Sequence, residues 1–249
     1  AQALELLQSL QNTRAMLRGH DAAGQDFIEF AVPHTLAFTF FPAWVARLRE
    51  AFGPLRSRLI ALNVHDAAMR LVEGGCDLLI AYHHPSQPLQ LDTERYDMVV
   101  LGTEHMAPYV KPGPDGQPLY ALPGLRDRPL PYLGYAPGAY LGAVTDWMLR
   151  QARSPVHLDR VYETDMAEGL KAMALEGHGL AFLPSSAVAK EVRAGTLVPA
   201  AGTASALPEA ALQIRAYRAK PGARMTLKRN VQELWAFLES TAPPPSAAS

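Results

Sequence analysis

Polar, aromatic and sulfur side chains follow several apolar stretches of this sequence, at the points where strands would end. Histidine, tyrosine and aspartate at such positions can form hydrogen bonds with a small molecule or place a charge beside it. Free backbone N–H groups at the starts of the helices that follow would favour an anion or a polar group. The candidate binding residues are His34, Thr35, Asp66, His83, Tyr135, Tyr140, Asp165 and Met166.

Two threonines also have a simpler interpretation. A threonine at a helix start often caps the helix by accepting a backbone hydrogen bond, and this applies equally to Thr35 and Thr164. Because a capping side chain can also contact a ligand, the sequence leaves both interpretations open.

Four histidines near predicted strand ends, His34, His65, His83 and His84, raise the possibility of a zinc site. They lack a helical i, i+4 pair and an accompanying Cys and Glu pattern. Loop histidines more often form ordinary hydrogen bonds. We therefore expect no metal and no other cofactor, and we interpret His34 as a polar ligand contact.

Met166 and Cys76 are candidates for redox chemistry. Oxidation of a methionine thioether to the sulfoxide turns a soft apolar group into a polar one, so Met166 beside a cleft could report an oxidant. The alternative is that Met166 fills a gap in the packing. Cys76 precedes an apolar strand, where an unreactive core thiol is the expected state.

Catalytic motifs are missing from the sequence. It contains no G-x-S-x-G elbow, no P-loop and no G-x-G-x-x-G, and residues 177–179 (Gly-His-Gly) follow a helix instead of opening one. A nucleophile with a positioned base is not evident. We therefore predict that the protein is not an enzyme.

The elements that would position these residues repeat one pattern. Residues 68–82 (AMRLVEGGCDLLIAY) and 170–184 (LKAMALEGHGLAFLP) each contain a helical run, a Glu-Gly stop and an apolar strand. Both belong to a β-α-β-α-β order, which predicts two α/β lobes, each with a parallel sheet. The predicted elements are strands at 26–32, 58–63, 77–82, 96–101, 130–135, 157–163, 180–183 and 211–218, an extended run at 106–110, and helices at 35–51, 66–73, 140–152, 166–175, 185–193 and 225–238.

The order of the elements predicts the domain organisation. Residues 1–19 form a leucine-striped linker or dimerisation helix, lobe I comprises 26–105 and 207–240, lobe II comprises 106–206, and 241–249 is a disordered tail. The chain would cross between lobes near Met106 and Ala206, which gives a natural hinge. Ligands of such lobes usually bind in the cleft between them.

Composition limits the function further. The 249 residues are 49% hydrophobic and 19% charged, with a formal net charge of -1, so the chain lacks the broad positive field that grips nucleic acid. Its single cysteine fits a reducing compartment. No run reaches the roughly 20 apolar residues of a membrane span. We expect a cytoplasmic protein that does not bind membranes.

The chain resembles the regulatory domain of LysR-type transcriptional regulators from residue 4 to residue 239. The resembling segments are FAVPHTLAFTFFPAWVARLRE, AMRLVEGGCDLLIAY and MAEGLKAMALEGHGLAFLPSSAV. YAPGAYLG at 135–142 and IRAYRAKPGARM at 214–225 are similar to the hypochlorite-responsive, oxidant-sensing members. The resemblance implies a two-lobed periplasmic-binding-protein-like fold with two crossover strands.

The resemblance also implies partners. These are a small-molecule effector or an oxidant in the cleft, further copies of the chain in a dimer or tetramer, and DNA bound only through an upstream helix-turn-helix that this sequence lacks. A transporter solute-binding protein has the same two-lobed architecture and is the alternative function. A signal peptide encoded upstream would favour that alternative.

Overall fold

The computed structural model describes residues 27–200, 207–221 and 227–241. Its strands are β1 (Phe27–Pro33), β2 (Arg56–Leu62), β3 (Leu78–His83), β4 (Tyr96–Val110), β5 (Leu130–Tyr135), β6 (Leu158–Thr164), β7 (Leu180–Pro184), β8 (Val198–Pro199) and β9 (Ala210–Ala219). Its α-helices are α1 (His34–Thr39), α2 (Phe41–Phe52), α3 (Val64–Val72), α4 (Tyr140–Arg150), α5 (Ala167–Leu175), α6 (Ala189–Ala194) and α7 (Arg229–Thr241), and a 3₁₀ turn covers Ser185–Val188.

The strands form one continuous sheet in the order β2-β1-β3-β9-β4-β7-β5-β6, with β8 paired to β4. β1 pairs in parallel with β2 and β3, and β5 pairs in parallel with β6 and β7. We call β1 to β3 with α1, α2, α3 and α7 lobe I, and β5 to β7 with α4, α5 and α6 lobe II. The predicted parallel sheet in each lobe is therefore confirmed.

β4 and β9 lie between the two parallel groups and run antiparallel to their neighbours. The sequence predicted a strand at 96–101 and a separate extended run at 106–110, but these form the single strand β4. A register shift between Val100 and Gly102 bends β4. Its start pairs with β9, and residues 106–109 also pair with β7 of lobe II. β4 thus connects the lobes.

The predicted domain limits remain predictions at the chain ends. The linker helix at 1–19 and residues 242–249 of the predicted tail lie outside the described residues, and so does the predicted crossing near Ala206. Thr241, the first residue of that tail, is the last residue of α7. Among the described residues, no helix has the length and apolar character needed to cross a bilayer.

The helix predicted at 35–51 is divided, as its proline indicated. α1 ends at Thr39, and α2 begins at Phe41 with Pro42 in its first turn. Because proline has no amide hydrogen, it is tolerated at a helix start but not inside a helix. Trp44 of α2 packs edge-on against Phe30 of β1, with ring centroids 5.9 Å apart.

The repeated Glu-Gly stop is also confirmed. Gly74 after α3 and Gly177 after α5 have φ values of 67° and 84°, the left-handed conformation that ends a helix. In the strands that follow, Leu78–Tyr82 and all of β7 are buried. Each stop therefore turns the chain from a covering helix into the centre of the sheet.

Candidate functional site

A cleft of about 1130 Å³ lies between the lobes. Its walls are the carboxyl ends of β1, β2, β5 and β6, the helices α1, α3 and α4 near their starts, and residues 87–91 after β3. Six of the predicted binding residues line it: His34, Thr35, Asp66, Tyr135, Tyr140 and Asp165. The volume suits a small organic molecule.

His83 and Met166 do not line the cleft. β3 extends one residue beyond its predicted end, which places His83 in the ladder opposite Gln213 of β9. Burial, followed by the charges of Arg215 and His84, lowers the pKa of His83 to about 4. Met166 is the N-cap of α5 and is 39% exposed, next to Asp165 on the cleft wall.

Cys76 lies away from the cleft, in a small core cluster with Leu71 and Tyr96. Burial is the main cause that raises the pKa of its thiol to about 12, and the neighbouring Asp77 carboxylate adds to this. Because the thiolate is the reactive form, this environment disfavours redox chemistry at Cys76.

The threonine caps do not form. The N-cap of α1 is Pro33 and that of α5 is Met166, and neither helix has a side-chain cap. Thr35 is the second residue of α1 and is buried at the cleft. The Thr164 hydroxyl accepts the backbone N–H of Met166 at 3.3 Å, in the turn before α5.

Tyr140 at the start of α4 ties lobe II to lobe I. Its hydroxyl accepts the backbone N–H of His84 at 2.7 Å and donates to the Gln87 carbonyl at 2.9 Å. Burial raises the pKa of Tyr140 to about 12, although the hydrogen bond from His84 opposes this. The His84 ring also packs against the Trp147 ring, with centroids 4.6 Å apart.

A second contact crosses the cleft at its wall. The side-chain amide of Asn63, between β2 and α3, donates to the Asp165 carboxylate at 3.3 Å. Both side chains are exposed and line the cleft. A ligand that enters the cleft can therefore replace or reinforce this bond.

Two buried phenols, Tyr82 and Tyr135, also line the cleft. Their hydroxyl groups form no hydrogen bond of standard geometry with the described residues, although the Thr39 side chain lies near Tyr82. Burial raises the pKa of both phenols, so both stay protonated. A buried hydroxyl without a partner is costly, so these two groups hold unused hydrogen-bonding capacity beside the cleft.

A buried carboxylate lies where the lobes join. Glu104 of β4 accepts hydrogen bonds from the backbone N–H groups of His105 and Ser186 and from the Ser186 hydroxyl. The Ser185 hydroxyl donates to the His105 carbonyl at 3.1 Å and lies 3.1 Å from the Tyr109 hydroxyl. These contacts hold the end of β7 on the connecting strand.

Sequence reasoning missed Asn63, Tyr82, Glu104 and Trp147. Tyr82 gave a weak signal, since it ends an otherwise aliphatic strand, and Glu104 gave another as a lone charge between two apolar segments. His34, His65 and His83 lie in α1, α3 and β3, and the four histidines form no metal-binding group. Within the described part of the chain, no three His, Cys, Asp or Glu side chains are placed to hold a metal ion.

Comparisons with known proteins match this architecture. The sequence matches the LysR substrate binding domain family over residues 25–242. It is 28% identical over 198 residues to the HTH-type transcriptional regulator YjiE of Escherichia coli (strain K12), covering 80% of this chain and 62% of that protein. The chain thus spans less than two thirds of the length of this relative.

Solved structures with the same fold include two of HypT from Salmonella typhimurium. The regulatory domain in its apo form has a TM-score of 0.70 at 24% identity and covers 86% of this chain and 94% of its own. The full-length protein, described as a hypochlorite-specific LysR-type transcriptional regulator, has a TM-score of 0.70 at 25% identity, with coverages of 96% and 75%. The two-lobed periplasmic-binding-protein-like fold is therefore confirmed.

Proposed function

This chain belongs to the LysR substrate-binding domain family, and on that premise we propose that its cleft senses a small effector or an oxidant and passes the signal to an upstream DNA-binding domain. The observation that carries the proposal is that both lobes build the cleft and that Tyr140 and Asn63 form hydrogen bonds across it.

The proposed mechanism is a shift in the relative position of the lobes. A ligand changes this position only through contacts that differ between the two arrangements. The bond between Asn63 and Asp165 is one such contact, because any molecule beside it competes for the same amide or carboxylate. β4 and β9 act as the hinge, since they are the strands that join the parallel groups.

The proposed ligand contacts are the cleft residues His34, Thr35, Asp66, Tyr135, Tyr140 and Asp165. His83 follows Tyr82 at the end of β3 and does not line the cleft. Its role in this proposal is to position the cleft floor.

Oxidant sensing at Met166 is the second form of the proposal. Hypochlorite transfers an oxygen atom to the thioether sulfur, giving the sulfoxide and leaving chloride. Met166 is partly exposed and adjoins Asp165, so a polar sulfoxide there disturbs the bond to Asn63. Cys76 is the weaker candidate because its thiol is buried and protonated.

The proposal includes further copies of this chain as partners, in a dimer or tetramer. Operator DNA contacts only the upstream helix-turn-helix, and the protein acts in the cytoplasm without turning over its ligand. The solute-binding alternative is disfavoured because the relatives and structures reported above are transcriptional regulators. A signal peptide encoded directly upstream, in place of a helix-turn-helix, would restore that alternative.

A thermal-shift screen of small organic acids, amines and neutral compounds tests effector binding. A ligand at 100 times its dissociation constant adds about 2.7 kcal/mol to stability. Ala68→Trp fills the cleft wall and should abolish the shift, whereas Ala172→Trp on the exposed side of α5 should retain it. Equal shifts in both variants would mean that the ligand binds elsewhere.

A test of signal transmission to DNA requires the full-length protein. Fluorescence anisotropy with operator DNA should show an affinity change when the effector or hypochlorite is added, and Ala68→Trp should lose the response to the effector. An unchanged DNA affinity with a bound ligand would contradict signal transmission.

A further inference from the structure

The charges around the cleft oppose an anion. Among the described residues, the lining carries three carboxylates, Asp66, Asp146 and Asp165, one guanidinium, Arg160, and two imidazoles, His34 and His65. Arg160 already donates to Glu163 at 2.6 Å, and this hydrogen bond is the main cause that raises its pKa. The guanidinium also lies over the ring of Tyr132, 5.5 Å from its centroid. An incoming anion therefore meets unbalanced negative charge.

Two helix starts near the cleft, those of α3 and α5, already carry carboxylates of the chain itself, whereas α1 and α4 have no acidic residue in their first turn. Asp66 lies in the first turn of α3 and Glu168 in the first turn of α5, while Asp165 precedes the N-cap of α5. A carboxylate at such a position satisfies the positive end of the helix dipole. At α3 and α5 these carboxylates take the place that an anion would otherwise occupy.

The remaining lining is largely apolar. Aliphatic and thioether side chains from lobe I cover much of one wall, and tyrosine rings from both lobes form the floor. The apolar members are Leu62, Val64, Met69, Val72, Leu89 and Leu91. Such a surface favours a ligand with a hydrocarbon or aromatic body.

The two buried phenols provide the polar anchor. Tyr82 is 1% exposed and Tyr135 is 3% exposed, and neither hydroxyl has a hydrogen bond of standard geometry with the described residues, although the Thr39 side chain lies near Tyr82. The buried Glu104 carboxylate is close enough to act on Tyr82, and no cationic side chain of the described chain pairs with it. A negative charge near the Tyr82 phenol favours a positive group over an anion beside it.

We infer that the effector is a small amine with an apolar body, bound between the carboxylates of the cleft wall and the hydroxyls of Tyr82 and Tyr135. The inference rests on the proposed sensory function and specifies its ligand class. The carboxylates hold the ammonium group of the ligand, and the aliphatic wall covers its hydrocarbon part. The phenols form hydrogen bonds with a second polar group of the ligand at the floor of the cleft.

Three probes of similar size separate the charge states: benzylamine, benzyl alcohol and benzoate. Isothermal titration of this chain at low ionic strength should give benzylamine the highest affinity, at least about fivefold above benzoate, with benzyl alcohol between them. Asp66→Asn should remove most of the advantage of the amine. Asp127→Asn, on an exposed loop outside the cleft, should leave it unchanged.

Tyr82→Phe is the second variant, and it should weaken binding of tyramine, whose second polar group can reach the floor of the cleft, while leaving the order of the three probes unchanged. The inference is overturned if benzoate binds as tightly as benzylamine, if no benzylamine binding is detected, or if Asp66→Asn leaves the order of affinities unchanged. Circular dichroism confirms that each variant is folded before titration.

The outcomes separate this inference from the proposed function. Benzoate binding that changes the operator affinity of the full-length protein would leave the sensory function in place and overturn the ligand class. Benzylamine binding that depends on Asp66 but never changes operator affinity would support the ligand class and contradict the sensory function.

Discussion

The hydroxyl of Tyr140, at the first residue of a lobe II helix, accepts the backbone N–H of His84 in lobe I at 2.7 Å. The same hydroxyl donates to the carbonyl of Gln87, so one side chain satisfies two backbone groups of the facing lobe. Tyr140 also lines the cleft that a ligand would enter. The relative position of the lobes therefore depends on a group at the binding site.

Tyr140→Phe removes both hydrogen bonds and leaves a backbone N–H and a carbonyl without their partner. We expect the free energy of unfolding to fall by about 1–2 kcal/mol, measured by urea denaturation, and hydrogen exchange to accelerate at residues 84–87. Tyr162→Phe is the control, since no hydrogen bond of the Tyr162 hydroxyl is present in the described structure. Equal stability and exchange in both variants would contradict the role of Tyr140.

His83 predicts a dependence of stability on pH. Its pKa is about 4 in the folded protein and has the ordinary value of 6.5 in the unfolded chain. The unfolded state therefore takes up more protons between these values, so the free energy of unfolding falls as pH falls from about 6.5 to 4 and is fully retained above that range. Urea denaturation at pH 7.5 and pH 5 measures the loss.

His83→Gln should reduce the loss of stability between those two pH values. It should not remove the loss entirely, because burial lowers the pKa of His84 as well. His178→Gln, at an exposed position beyond α5, is the control. A pH dependence that is the same in the His83 variant and in the wild type would refute the assignment.

We expect Met166 to be among the first methionines that hypochlorite oxidises. Met69, Met98 and Met166 are 41%, 45% and 39% exposed, whereas Met106 and Met148 are buried. Mass spectrometry after mild hypochlorite treatment should find the three exposed methionines modified before the two buried ones. Met166 remaining unmodified while Met98 oxidises would exclude it as the sensor.

A polar substitution at Met166 tests whether a change at this residue carries the signal, apart from how readily the residue is oxidised. In the full-length protein, Met166→Gln should reproduce the change in operator affinity that hypochlorite causes, whereas Met98→Gln should not. The same response from both variants would mean that general damage, and not Met166, explains the effect.

Gly74→Ala tests the helix stop that precedes β3. Alanine at a φ of 67° is strained even though its Cβ would meet no atom within 4 Å, so we expect a loss of about 1–2 kcal/mol in the free energy of unfolding. Gly102→Ala is the matched control, because its φ is not positive and its Cβ would make only an ordinary contact with Phe40 at 3.8 Å. Similar losses in the two variants would contradict the conformational explanation.

Local patterns predicted the elements and most of the cleft lining. Apolar runs located the strands, Gly74 and Gly177 located the helix stops, and the β-α-β order indicated which strand ends would face the ligand. His83 does not line the cleft, because β3 continues one residue beyond its predicted end and pairs His83 with Gln213 of β9.

The contacts between lobes could not be predicted, because they join residues far apart in sequence. Asn63 and Asp165 are separated by 102 positions, and His84 and Tyr140 by 56. Which side chains meet depends on the angle between the lobes, and the periodicity of the sequence carries no information about that angle. The burial of Glu104 depends likewise on Ser186 reaching the connecting strand from β7.

The distance between the lobes tests most directly whether contacts across the cleft set their arrangement. Spin labels at Arg47→Cys on α2 and Lys190→Cys on α6 report it by double electron–electron resonance, since both sites are exposed while Cys76 is buried. We predict a narrow distribution in the otherwise unaltered chain and a broader, shifted one after Asn63→Ala and Tyr140→Phe are combined. Identical distributions would contradict the account.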